Sequence, residues 1–175
     1  MASNFSNYAP TKRGVAESTL LKATKVGHHY NLVNESKDID NGSVAAIGDR
    51  KKADVFEAKV PAKGDKIVLI LTPVKIYEEY TTKMQEESNF YNGKGEVMRA
   101  YEIQDTDRFT LSTEAFASDA ELAVGKYVFV DGTDFKLTTG EKPNMTEYGF
   151  VGHIYEVAAN GNYRIWVDKN AQVYA

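Results

Sequence analysis

The chain has 175 residues, with 21 Lys and Arg against 25 Asp and Glu, three His and no Cys. Without Cys there is no disulfide framework, no thiolate metal site and no Cys nucleophile. The formal charge of −4 argues against a protein that coats nucleic acid, which needs a basic face.

Residues 1–20 are polar, include Pro10 and Gly14, and show no sustained hydrophobic period, so they are expected to form an extended arm. Charge is uneven: the first 25 residues carry +3 (Lys12, Arg13, Lys22 and Lys25 against Glu17) and the rest carry −7. The arm is either a solvated tail or a segment that docks on an acidic partner. Val26–Val33 is expected as a first strand. Asp38 to Gly42 follows as a tight turn, because Asn41-Gly42 accepts positive φ. Ser43–Ile47 is the next expected strand, with Gly48–Lys52 as a polar loop. Val55–Val60 is a strand closed by Pro61, which cannot donate to a ladder. Lys66–Leu71 is apolar on both faces, as a central buried strand would be. Val74–Tyr80 is expected to continue as an edge, and Tyr77–Asn92 as a short helix or exposed loop.

Gly93-Lys94-Gly95 is a turn or hinge, followed by expected strands at Glu96–Ile103 and Arg108–Leu111. Ser112–Ala123 is the best helix candidate, since Ser118 and Glu121 have the spacing of a capping box. Lys126–Val130 with Asp134–Leu137, and Tyr148–Val157 with Tyr163–Val167, read as two hairpins. In the second, Tyr148, Phe150 and Ile154 are expected on one face, and Val151, His153, Tyr155 and Val157 on the other. Sixteen Val and eight Ile against eight Leu, with 11 Tyr and eight Phe, suit pleated strands. The expected fold is mainly β, an antiparallel barrel or sandwich with an extended N-terminal arm and one short helix. It is organised as an arm (1–25) and either one body or two β modules, 26–92 and 93–175. The faint echo between Gly64–Val68 and Gly125–Phe129, a turn feeding a strand, fits the second option.

Few residues point to chemistry. His28 and His29 face opposite sides of a strand and His153 is distant, so no metal site is expected. No Gly-x-Ser-x-Gly elbow is present. Asp38–Gly42 lacks the fifth-position ligand and the closing Glu of a calcium loop. Glu78-Glu79 and Glu86-Glu87 read as a solvated face, and Gly93-x-Gly95 lacks a phosphate loop's third Gly. The expectation is therefore a non-enzyme without cofactor. The N-terminus has no apolar signal region and the longest apolar run, Ile67–Leu71, is strand-sized, so a soluble, cytosol-made protein without membrane or nucleic-acid partner is expected. Tyr174, beside Val173, suggests a C-terminal tail that is tied down.

A series of turns and strand starts carries a resemblance over most of residues 38–167. It comprises Asp40-Asn41-Gly42-Ser43-Val44, Val60-Pro61-Ala62-x-Gly64-Asp65, and Asn89-Phe90-Tyr91-Asn92-x-x-Gly95 leading into Met98-Arg99-Ala100-Tyr101. It continues through Asp107–Ser112, Val124–Val128 and the Asn160–Tyr163 hairpin. This resembles the capsid decoration, or cement, proteins that tailed bacteriophages of Gram-positive hosts encode beside their major capsid protein. The resemblance implies a virion protein on the capsid surface, made in the host cytoplasm. Its partner would be the major capsid protein, with self-association as dimer or trimer. The expected contact residues are Phe5, Tyr8, Lys12, Arg13, Leu20 and Leu21, and removing residues 1–20 is expected to spare the fold. The competing reading is an adhesive or carbohydrate-binding β module, a head fibre or tail-associated receptor binder, using Trp166 and Tyr155 as an aromatic platform. An unrecognised hydrolase is a third.

Overall fold

The structure, a computed structural model, describes residues 12–73 and 87–174. In chain order the elements are β1 (Ala16–Glu17), α1 (Lys22–Val26), β2 (His29–Val33), β3 (Ile39–Asp40), β4 (Val44–Lys52), β5 (Val55–Lys59) and β6 (Val68–Ile70). They continue with β7 (Tyr91–Asn92), β8 (Val97–Glu102), β9 (Arg108–Leu111), β10 (Tyr127–Phe129), β11 (Thr138–Gly140), β12 (Phe150–Val157) and β13 (Tyr163–Asn170). The protein is mainly β. Five strands close a barrel in the order β2-β5-β4-β6-β8, and six form a sheet in the order β1-β9-β13-β12-β10-β11. β3 and β7 make a separate ribbon. Closure leaves the barrel no edge, and the edges of the sheet are strands of only two and three residues, which offer little template for pairing with another chain.

The two-faced apolar run is explained by a shared wall. Along β6, Leu69 packs with the core of the sheet while Val68 and Ile70 fill the barrel. On β4, Val44 joins the sheet core and Ala45 the barrel core. Strands with both faces covered need no polar alternation. On the sheet side the core gathers Phe109, Phe116, Phe150, Ile154 and Ile165; on the barrel side it gathers Leu32, Met98, Ala100 and Phe135. Phe135 comes from the loop between β10 and β11, so the second half of the chain helps to fill the barrel of the first. Asn170, buried at the end of β13, closes the junction. Its Oδ1 accepts from Ile67 N–H at 2.9 Å, and its Nδ2 donates to the carbonyls of Ile67 at 2.8 Å and Ile103 at 2.7 Å. Gly149 is needed at the same seam: a Cβ there would lie 2.2 Å from the Asp65 carbonyl oxygen. The C-terminal tail is tied to the seam through Val173 N–H to Gly64 O at 2.8 Å, while Tyr174 is exposed.

Several expectations are corrected. The strand after Gly93–Gly95 is β8, which closes the barrel, and the chain passes to the sheet between Glu102 and Arg108, beyond the expected boundary at residue 93. The helix over Ser112–Ala123 does not form. Thr113–Ala115 makes one 3-10 turn, Phe116 then bridges Leu137, and both side chains sink into the core. Burial of that ring outweighs the slight helical preference of the segment. The α-helix is instead α1, capped by Gly27 at φ 70°. Gly48–Lys52 is not a loop but part of β4, with bulges, and the chain turns at Ala53 (φ 42°). The partner of β10 is Thr138–Gly140 and not Asp134–Leu137. In β12, register shifts at Val151/Gly152 and Ile154/Glu156 break the two-residue period, so Phe150 and Val151 are both fully buried. The segment at Val74–Tyr80 and most of Tyr77–Asn92 lie outside the described residues.

Glu102, ending β8, meets Lys66 and His28, the latter at 2.6 Å. Burial alone would raise its carboxyl pKa, but the hydrogen bonds and charge of Lys66, with His28, more than offset this and hold it below the ordinary value. A carboxylate whose pKa is lowered by folding stabilises the fold above its unfolded pKa of about 4.3, and that contribution disappears as pH falls through the lower folded value. Glu102→Gln is therefore expected to cost about 1 kcal/mol at pH 7, with the gap to the parent closing below about pH 4. Urea unfolding at both pH values checks this; a gap that persists at low pH refutes it.

Candidate functional site

The described chain begins at the root of the expected arm. Arg13 is fixed there three times. Its backbone N–H donates to Ser88 O at 2.7 Å, its guanidinium donates to Asp40 Oδ1 at 3.1 Å, and its Cζ lies 4.7 Å from the centre of the Tyr91 ring. Asp40 stands on β3 because the Asn41-Gly42 turn behind it, with Gly42 at φ 83°, holds the ribbon against the body. That turn is locked by Asn41, whose Oδ1 accepts from Thr72 N–H at 3.0 Å and whose Nδ2 donates to Thr72 O at 2.9 Å. Gly14 then runs so close that a Cβ would lie 2.5 Å from Asn41 O.

Arg13 opens onto a hollow of about 210 Å³ whose wall carries Arg13, Lys37 and Lys136 against Asp38, Asp40 and Asp134. Lys37 pairs with Asp134 and its Nζ lies 4.9 Å from the Phe135 ring centre. Burial would raise the Asp134 pKa, but the Lys37 ammonium and the Phe135 N–H hold it below the ordinary carboxylate value. Charges of both signs around a hollow select a partner of complementary pattern more than they add affinity.

Of the expected contact residues, Lys12 is exposed, Arg13 half-buried and Leu20 46% exposed. Leu21 is corrected: it is fully buried in the sheet core and cannot meet a partner. Phe5 and Tyr8 lie outside the described residues. The expected arm of residues 1–25 also ends earlier. β1 pairs with β9, Val15 N–H donates to Ser112 Oγ at 3.1 Å, and Lys22 N–H donates to Asp107 Oδ1 at 3.2 Å, so residues 13–25 belong to the body. Asp40, Tyr91, Lys37 and Asp134 are not among the expected contact residues. Asp40 was visible in the Asp38–Gly42 segment, but as a turn residue.

A second surface is the outer face of the sheet. Tyr155 and Trp166 meet edge to face, centroids 6.4 Å apart, and Arg108 Cζ lies 5.6 Å from the centre of the Trp166 ring. The register pairs Trp166 with Arg108 across β13 and β9 and with His153 across β13 and β12. His153 bonds Asp168 Oδ2 at 2.8 Å and lies 6.2 Å from Tyr127. These residues stand outward because Ile154, Ile165 and Val167, the residues between them, point into the core. No group of three or more His, Asp or Glu among the described residues is placed to hold a metal, and no helix among them is long and apolar enough to cross a membrane.

No protein family matches the chain, and no curated protein or solved structure shows a match to it.

Proposed function

We propose that the protein is a non-enzymatic virion component that binds the outer surface of a phage capsid and reinforces contacts between capsomers. The observation that carries this reading is the fixed root. The N-terminal segment, which ends in Lys12 and Arg13, is tethered through Arg13 to the β body beside a hollow of mixed charge. The turn pattern that resembles capsid decoration proteins includes that root, at Asp40–Val44 and Asn89–Asn92. The partner is the major capsid protein. The contact residues on this chain are Phe5, Tyr8, Lys12, Arg13 and Leu20, and copies self-associate as dimers or trimers on the lattice. Each copy needs only modest affinity, because a capsid presents many linked sites.

The test uses capsids free of the protein, mixed with the full chain or with a chain lacking residues 1–11. The full chain is expected to co-sediment with the capsids and to show icosahedral occupancy by electron microscopy. The shortened chain is expected to stay in the supernatant. Undiminished co-sedimentation of the shortened chain overturns the reading. The Tyr155, Trp166 and Arg108 platform favours a second reading, an adhesive module that stacks a glycan on Trp166. Under that reading, glycan binding depends on Trp166 and survives removal of residues 1–11.

A further inference from the structure

We infer that one end of the barrel is a binding site for a small neutral saccharide. A hollow of about 320 Å³ lies there, and every barrel strand contributes to its wall: Tyr30 from β2, Ile47 from β4, Lys59 from β5, Val68 from β6 and Glu102 from β8. The mouth of a barrel is a common seat for a small ligand, and this volume is at the lower end of the usual range. The floor is apolar, from Ile47, Val68 and the Tyr30 ring. The rim is polar, with Asp65, Lys66 and Gln172 joining Lys59 and Glu102.

The charges on the rim select the ligand class. Two cations, Lys59 and Lys66, and two carboxylates, Asp65 and Glu102, share the lining, so neither an anion nor a cation is favoured. The polar groups are held in place before any ligand arrives. Lys66 and His28 bond Glu102, Gln172 Nε2 donates to Asp65 Oδ1 at 2.9 Å, and Gln172 Oε1 accepts from Lys66 N–H at 3.1 Å. Each still has capacity, since a carboxylate has about four lone-pair sites and an ammonium three N–H donors. Lys59, which lines the hollow, has its Nζ 3.6 Å from Asp49 and 3.8 Å from Glu57, and an ammonium with three N–H donors keeps capacity for a ligand beside those ion pairs. Its stem lies over Gly48, where a Cβ would come within 2.8 Å, which fixes that wall.

A carboxylate or phosphate ligand cannot donate to Asp65 or Glu102, and an amine cannot accept from Lys59. A zwitterion can do both, but it gives up the hydration of two full charges at rim groups that already have partners. A hydroxyl donates and accepts at once and leaves the existing pairs standing. A pyranose offers adjacent hydroxyls on its edge and a C–H face for Tyr30, Ile47 and Val68. This site is independent of the capsid reading, because removing residues 1–11 takes nothing from its wall.

The experiment is an NMR titration of the full chain with a panel of neutral mono- and disaccharides, with glycine and inorganic phosphate as zwitterionic and anionic probes. At least one sugar is expected to bind at millimolar affinity and to shift the amides of Ile47, Lys59 and Val68. Tyr30→Phe and Lys59→Met remove one polar group each and keep the apolar bulk. Each is expected to weaken that sugar by about tenfold, the loss of one good hydrogen bond. Trp166→Ala is expected to leave it unchanged. The inference is overturned by any of three results: no sugar shifting these amides, phosphate or glycine binding there in their place, or sugar binding that survives both barrel variants and disappears with Trp166→Ala.

Discussion

Asn170→Ala is expected to lower stability by about 3–5 kcal/mol. The side chain serves three buried backbone groups: the N–H and carbonyl of Ile67 and the carbonyl of Ile103. Both isoleucines are fully buried, so water cannot replace the lost partner. Each orphaned group costs about 1–3 kcal/mol, and alanine leaves a void besides. Position also matters. Ile67 leads into β6 and Ile103 leaves β8, so the bonds tie two barrel strands to the last strand of the sheet. Asn170→Asp makes the point more sharply: it keeps the acceptor for Ile67 N–H but turns two donor contacts into oxygen facing oxygen. It is expected to cost at least as much as alanine at neutral pH. Urea unfolding of parent and both variants measures this, and a loss under about 1 kcal/mol for Asn170→Ala would show that the seam does not depend on this residue.

What could be read from the sequence was what depends on local chemistry. Lys66–Leu71 lies in the wall between the two cores, where a strand whose residues are apolar on both faces has both of them covered. Asn41-Gly42 turns where expected because positive φ at Gly42 is a backbone property that needs no partner. The hairpin of β12 and β13 was visible for the same reason, from alternation on both sides of Asn160-Gly161-Asn162. Failures came where a distant contact decided the outcome. Phe116 has no local reason to leave a helix; it leaves because Leu137 and Tyr163 offer its ring a place in the core. Val151 is buried through a bulge, which a period-two reading cannot anticipate.

The candidate surfaces divide in the same way. Trp166 and Tyr155, expected together as an aromatic platform, do have rings that meet edge to face. Arg108 joins them only through the pairing of β9 with β13, strands far apart in sequence. Arg13 was singled out by its charge, yet its ligands Asp40 and Tyr91 come from the ribbon of β3 and β7, whose halves are separated by half the barrel. Composition thus located a basic segment but not its end. A polar, Pro- and Gly-containing stretch can still lie on a protein when the body supplies the missing partners, as Ser112 and Asp107 do for the backbone of Val15 and Lys22.

That difference is measurable as a contrast between two truncations and one point variant. A chain lacking residues 1–11 is expected to melt close to the parent temperature, because it keeps the bonds of Arg13, Val15 and Lys22 to the body and the pairing of β1 with β9. A chain lacking residues 1–20 is expected to be severely destabilised, contrary to the expectation drawn from composition. It loses the pairing of Ala16 with Leu111 and of Glu17 with Thr110, which exposes β9 as a longer open edge. It also loses the buried Ala16 from the core and the covalent lead into Leu21, the one fully buried leucine of the N-terminal segment. Leu21→Ala isolates the packing part of that loss. Removing a fully buried leucine leaves a cavity and is expected to cost about 3 kcal/mol, with Lys12, Arg13 and Leu20, the described residues proposed to meet the capsid, all retained. Thermal melts and near-ultraviolet circular dichroism of the tyrosines and Trp166 report the outcome. If Leu21→Ala and the longer truncation both melt with the parent, residues 13–25 are an appendage after all, and the fixed root on which the capsid reading rests is lost. If only the longer truncation and Leu21→Ala fall, a loss of capsid binding in the chain lacking residues 1–11 reports on contact and not on folding.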